Sequence, residues 1–162
     1  MDESTEQMIS ENIINKLIEW EGSKNIPYKD SAKLLTIGIG HLLTKSELRS
    51  GFITIDGKPV RYVKGITNDQ IKKLLEQDLY SRDIVLSNLV TVPLTQNQYD
   101  ALLSFMFNIG VNAFKDSYLL ELLNGGHYSA VPSQLKRWNK CGGKVNKGLV
   151  NRRAKEIELW LA

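Results

Sequence analysis

Glu21 follows a run of apolar residues spaced for one face of a helix, in register with Ile14 and Leu17. A carboxyl group there is partly desolvated and faces the negative end of the helix dipole. Both effects disfavour its charge and suit it to act as a general acid. The alternative is an ion pair with one of the chain's many Lys or Arg residues. Asp30 lies nine residues further on, past Pro27, in Tyr28-Lys29-Asp30-Ser31. An Asp in a turn commonly forms an Asx-turn, so alone it says little. Together, a carboxylate on a helix end and another on a β turn are the equipment for glycoside hydrolysis. One protonates the leaving oxygen; the other activates water or stabilises developing positive charge. Thr36 opens Thr36-Ile37-Gly38-Ile39-Gly40-His41, and its hydroxyl could hold the water that Asp30 deprotonates.

Other chemistries find less support. Gly38-Ile39-Gly40 is not a dinucleotide fingerprint: the third glycine position holds Leu43 and no βαβ unit follows. Its glycines permit close backbone approach, by a polysaccharide or by the first helix. His41, alone after a strand, reads as a hydrogen-bonded structural residue. Cys141 has no partner for a disulfide, and no Cys/His cluster has zinc spacing, so neither metal nor cofactor is expected.

These residues need elements to hold them. The first helix is expected from Ser4 or Thr5, with Ser4 and Gln7 as a capping box. Its stripe is Met8, Ile9, Ile13, Ile14, Leu17, Ile18 and Trp20, and Gly22 ends it. From about 22 to 65 the pattern becomes short extended pieces. Leu35–Ile39 is rich in β-branched residues, and Ile53-Thr54-Ile55 leads through Asp56-Gly57 to Lys58–Tyr62 as a hairpin, with Pro59 on an edge. A long helix runs from Thr67 to about Val90. Thr95 and Gln98 form a capping box opening a helix apolar nearly all round, the buried centre of a helical lobe. Shorter helices follow at 116–123 and 127–138, then a Gly-rich loop at 141–148 and a last helix to Leu161. The fold class is α+β. One domain covers 1–162: a β lobe over about 22–65, and a helical lobe over about 67–162 plus the N-terminal helix, joined by the long helix.

The chain has 162 residues and a net charge of +3. Residues 133–155 carry eight cations and no acid, so the remainder sums to −5. Such a segment is either a solvated face or a docking surface for a polyanion: nucleic acid, an acidic membrane surface or a wall polymer. Arg152 and Arg153 are alternatively caps and ion-pair partners within the helical lobe. No apolar stretch approaches a membrane span, and Met1–Glu6 is acidic and polar, unlike a secretory leader. The expectation is a protein made and kept in a cytoplasm.

Glu21-Gly22, Tyr28-Lys29-Asp30 and Thr36-Ile37-Gly38-Ile39-Gly40-His41-Leu42-Leu43-Thr44 resemble the active-site segment of the phage-type lysozymes, glycoside hydrolase family 24. Phe105–Gly110, Ala113–Ser117, Trp138 with Gly142-Gly143-Lys144, and Gly148–Arg153 with Glu156 are also similar to that family. The resemblance implies a lysozyme-like fold and a muramidase that cuts the β-1,4 bond between N-acetylmuramic acid and N-acetylglucosamine, with inversion. It implies Glu21 as the acid, Asp30 positioning or activating water, Thr36 assisting, and Leu42, Phe107 and Ser117 lining the sugar cleft. A further cleft position falls near Pro132, where the expected polar residue is missing. The 51–62 hairpin is longer than in compact members of the family. The implied setting is a monomeric phage endolysin in the host cytoplasm. Its partner is peptidoglycan and not nucleic acid, it does not insert stably into membrane, and it reaches the wall through a holin. Two other readings of the same residues are a lytic transglycosylase and a lysozyme-like module that binds wall or a partner without turnover.

Overall fold

Helix α1 (Glu11–Glu21) opens the computed structural model, which describes residues 9–162. The Ser10 hydroxyl accepts from the Ile13 amide at 3.1 Å and donates to the Asp100 carboxylate at 2.6 Å. It thereby satisfies one of the orphan amides at the helix start. The expected cap of Ser4 and Gln7, and Met8 of the stripe, lie outside the described residues, while Ile9 precedes the helix. Ile13, Ile14 and Leu17 are buried; Ile18 and Trp20 are half-buried. Gly22, at φ +65°, ends the helix in the left-handed conformation that a Cβ would strain.

The chain forms two compact units. One is Ile14–Tyr80; the other is Ser81–Ala162 with the described residues before Ile14. The division runs inside two helices, so most of α1 and the first half of the long helix group with the strands.

In the first unit, β1 (Lys24–Lys29), β2 (Leu35–Gly38) and β3 (His41–Leu42) form an antiparallel sheet in that order. Gly38 and Gly40 have φ of +68° and +70° around the β2–β3 turn. A Cβ on Gly38 would lie 3.6 Å from Ile71 Cγ2, an ordinary contact, so dihedral angle and not space calls for glycine there. Its close neighbour is thus the long helix, not the first. A short helix absent from the sequence reading, α2 (Lys45–Ser50), follows. It carries a full capping box between Thr44 and Glu47. The hairpin β4 (Phe52–Ile55) and β5 (Lys58–Arg61) turns on Asp56 and Gly57, both at positive φ, as the Asp-Gly signal predicts. Ile53 and Ile55 are buried and alternate with exposed Phe52 and Thr54. Pro59 pairs with Thr54 in this two-stranded sheet, where every strand is an edge.

Helix α3 (Asn68–Leu89) begins at a reciprocal Thr67–Gln70 cap and buries Ile71, Leu74, Leu75 and Leu79 on one stripe. Each such burial contributes about 1.5–3 kcal/mol.

The second unit is built around α4 (Gln96–Ile109), in which Tyr99 through Phe107 are all buried, beneath the expected Thr95–Gln98 capping box. Around it lie α5 (Val111–Lys115), α6 (Tyr118–Asn124), a 3-10 turn (Tyr128–Ala130), α7 (Val131–Lys136) and α8 (Lys147–Leu161). The Phe105 ring meets Phe114 and Trp138 edge-on, with centroids 6.1 and 5.7 Å away. The stretch at 141–148 is not a plain loop. β6 (Lys140–Cys141) pairs with β7 (Lys144–Val145) across Gly142-Gly143, both at positive φ, which places Cys141 on a strand. Among the described residues no helix is long and apolar enough to cross a membrane.

Between α4 and α8 lies a buried ion cluster. Glu156, fully buried, accepts from Ser104 Oγ at 2.5 Å and from Arg152 Nε at 3.1 Å. Arg153 Nε stands 2.6 Å from Glu156 Oε1, an ion-pair distance without hydrogen-bond alignment. Arg153 also donates to Asn108 Oδ1 at 2.7 Å and to the Trp138 carbonyl at 3.4 Å. Arg152 and Arg153 are therefore internal ion-pair partners. Two of the eight cations counted over 133–155 are not surface charges.

Candidate active site

Asp30 follows the last residue of β1 and opens the turn to β2. Its Oδ1 accepts from the amides of Ala32 and Leu34, both at 2.9 Å, while its own amide donates to the Leu34 carbonyl at 2.9 Å. Asp30 thus makes the Asx-turn that its position allows. Lys33 takes a positive φ, +65°, to close the turn. Two backbone donors on one oxygen hold the carboxylate still, and Oδ2 stands outside both bonds.

Thr36 is held through the backbone of the same residue, Leu34. Its hydroxyl donates to the Leu34 carbonyl at 3.0 Å, and the residue is only 3% exposed. Leu34 is therefore the hinge pin between the two polar residues: its N–H fixes Asp30 and its C=O fixes Thr36. The sequence reading missed this role, because any residue has the backbone groups that perform it. In register, Thr36 lies between Tyr28 on β1 and Leu42 on β3, and Leu42 is half exposed. The Tyr28 phenol is pushed above its ordinary pKa by burial and then by the charge of Asp30.

Glu21 is the last residue of α1, half-buried, and the last turn of that helix contains no cation. Glu21, Asp30, Thr36 and Leu42 all belong to the unit Ile14–Tyr80. Phe107 and Ser117 belong to the other. Phe107 is 9% exposed, with the Arg82 guanidinium 5.2 Å over its ring centre. Ser117 caps α6: its hydroxyl accepts from the Leu120 amide at 3.2 Å and donates to the Phe114 carbonyl at 2.7 Å. Pro132 occupies the first turn of α7, where a missing N–H costs nothing.

His41 is structural. Nδ1 lies 2.7 Å from Asp78 Oδ2 and Nε2 lies 2.9 Å from Glu47 Oε1, so each ring nitrogen faces a carboxylate. Burial alone would push the imidazole pKa down. The two carboxylates outweigh it, and the net shift is upward. Glu47 was findable as the third residue of the Thr44 capping box; Asp78, 37 residues from His41, carried no local signal. Among the described residues no group of His, Cys, Asp and Glu is arranged to hold a metal ion.

Comparison with known proteins finds the phage lysozymes and endolysins. The sequence model of the phage lysozyme family matches residues 18–156. An endolysin of Salmonella phage P22 is 40% identical over 154 residues, covering 95% of this chain and 98% of its own. An endolysin of Bacillus phage B103 is 36% identical over 155 residues, covering 94% of this chain but 54% of its own, so the chain spans about half the length of that relative. A crystal structure of a P22 lysozyme mutant superposes with a TM-score of 0.75 at 37% identity, covering 96% of this chain and 99% of that one.

Proposed function

Because the chain belongs to the phage lysozyme family, we propose that it is a muramidase that hydrolyses the β-1,4 bond between N-acetylmuramic acid and N-acetylglucosamine. The observation that carries the reading is the Asp30–Leu34–Thr36 arrangement, one residue's backbone N–H and C=O fixing both groups that would manage the water. Glu21 donates its proton to the glycosidic oxygen as the bond to C1 breaks. Water attacks C1, and Asp30 takes the proton that the water releases. The single hydroxyl proton of Thr36 is already given to Leu34, so Thr36 can only accept from that water. It orients the nucleophile without competing for its lone pair. Leu42 offers an apolar surface to the sugar rings. The reading also assigns sugar contacts to Phe107 and Ser117, and Ser117 keeps one lone pair beyond its capping bonds.

In this reading the chain acts as one monomeric lysozyme-like domain, without cofactor. Peptidoglycan is its partner; nucleic acid and stable membrane insertion have no part. It gathers in the host cytoplasm and reaches the wall when a holin opens the inner membrane. The test is Glu21→Gln, assayed by clearing of chloroform-treated Gram-negative cells and by mass spectrometry of digested wall. The expected result is a folded protein that has lost at least about 100-fold in rate, since an amide cannot donate the proton. The parent should yield hydrated reducing ends. Full activity in the folded variant overturns the assignment of Glu21, and 1,6-anhydro ends would make the enzyme a transglycosylase. No clearing by the parent would leave a binding module.

A further inference from the structure

The buried stripe of α3 takes in Ile71, Leu74, Leu75, Leu79 and Leu86. Steps of three and four residues from Leu79 reach Arg82 and Asp83 before Leu86, so two charged residues stand where the helical pattern calls for apolar ones. Asp83 is accounted for by Tyr99, which donates its hydroxyl to the buried carboxylate. Arg82 is the costlier choice. An apolar side chain would fill its place without drawing a guanidinium out of water. Local rules broken in this way mark functional positions more often than structural ones.

Arg82 is half-buried, its Nε is buried, and its guanidinium lies 5.2 Å from the centre of the Phe107 ring. That is cation–π distance. The contact uses the flat face of the guanidinium, which a lysine lacks. Both residues belong to the unit that contains Ser81–Ala162, so the stack is internal to that unit. Phe107 is also distinct within its own helix. Tyr99 through Met106 are at most 1% exposed, whereas Phe107 is 9% exposed. It is the aromatic residue of that run with surface left for a ligand, and Arg82 covers a face of its ring.

We infer that Arg82 is a positioning residue for sugar recognition: its guanidinium fixes the Phe107 ring, so that the surface the ring leaves open meets a sugar in one orientation. This rests on the muramidase reading, which assigns Phe107 its sugar contact. The side-chain freedom of Phe107 is then given up on folding and not on binding, which strengthens the hold on the glycan. Arg82 touches no reacting atom, so its effect falls on substrate binding and not on the bond-breaking step.

The test is a double-mutant cycle. Titration calorimetry with a soluble oligosaccharide of alternating N-acetylglucosamine and N-acetylmuramic acid gives Kd for four proteins, each carrying Glu21→Gln to prevent cleavage. They bear no further change, Arg82→Gln, Phe107→Leu, or both, and thermal melts establish that each is folded. Arg82→Gln is expected to raise Kd roughly threefold to tenfold, as the loss of a cation–π contact would. Arg82→Lys, a cation without the planar face, should fall between. In the Phe107→Leu background Arg82→Gln should leave Kd within about twofold, because no ring remains to be fixed. With Glu21 intact, Arg82→Gln should raise KM and keep kcat within about twofold, and kcat/KM of the same series closes the cycle where binding is too weak for calorimetry.

An unchanged Kd in Arg82→Gln overturns the proposal, as does a fall in kcat alone. So does an equal loss with and without the Phe107 ring, or a loss that disappears as salt is raised, since either marks a charge acting on the polymer directly. A parent that leaves the oligosaccharide intact while the Kd cycle holds strikes the muramidase reading and leaves Arg82 its role. No binding by the Glu21→Gln protein, with no cleavage by the parent, overturns both.

Discussion

Replacing Glu156 by Gln keeps the side-chain shape and removes one negative charge from a site where two guanidiniums depend on it. Glu156 is 0% exposed, Arg153 1% and Arg152 7%, so none of the three can exchange its partner for bulk water. Burial pushes the pKa of both arginines down and Glu156 opposes it; for Arg152 the charge of Arg153 pushes further down. Breaking a buried pair by removing one partner costs about 3–5 kcal/mol. With two cations left on no anion, the upper half of that range is expected, about 4–5 kcal/mol. For a protein of this size each kcal/mol lowers the thermal midpoint by about 2–4 °C, so a fall of about 8–20 °C should follow. Urea unfolding of parent and variant, followed by circular dichroism, measures the loss directly. A loss under about 1 kcal/mol, the range of exposed ion pairs, would refute the reasoning. It would mean that water reaches these charges. A companion variant, Arg152→Met with Arg153→Leu and Glu156→Leu, removes all three charges together and is expected to be more stable than Glu156→Gln alone.

Two further outcomes follow from buried polar contacts. The pKa of His41 is raised in the folded chain, so its contribution to stability is fully present below the unfolded value of about 6.5 and is lost as pH rises through the folded value. The gap in thermal midpoint between the parent and His41→Asn should therefore be wider at about pH 6 than at about pH 10, and a gap that ignores pH would sink the claim. Tyr99 donates its hydroxyl to the buried Asp83 carboxylate, with the Asp83 carbonyl and Ser87 also within reach. Tyr99→Phe leaves that carboxylate short of a donor and should cost about 1–3 kcal/mol in urea unfolding. An unchanged midpoint would show that Asp83 has another donor available.

How much of this could be read in advance depended on whether the signal was local. The Thr95–Gln98 box, the Asp56-Gly57 turn and the all-round apolar run from Tyr99 to Phe107 are local, and all three stand in the structure. Two-residue strands such as Lys140–Cys141 have no periodicity to find; only Gly142-Gly143 marked the turn. The five-residue helix α5 was equally hidden. The charge count over 133–155 could not by itself declare burial, but the alternative that Arg152 and Arg153 pair within the helical lobe stands in the structure, with Glu156 at i+4 and i+3 from them on α8. In the candidate site, Glu21, Asp30 and Thr36 were legible as residue types at a spacing. The Leu34 backbone that ties two of them together was not, since backbone groups leave no trace in a sequence.

The hydrogen bond from Ser10 to Asp100 joins residues 90 positions apart and belongs to the unit that takes its bulk from Ser81–Ala162. On the ribosome, therefore, residues 10–13 emerge before the strands of the other unit yet cannot take their place until Asp100 has been made. The stretch Ile14–Tyr80 is continuous and can acquire its strands while Asp100 is still unmade; at about 5–20 residues per second that interval lasts for seconds. Docking of the early segment then closes a loop around everything made in between, a long-range contact whose entropic cost grows only slowly with loop length.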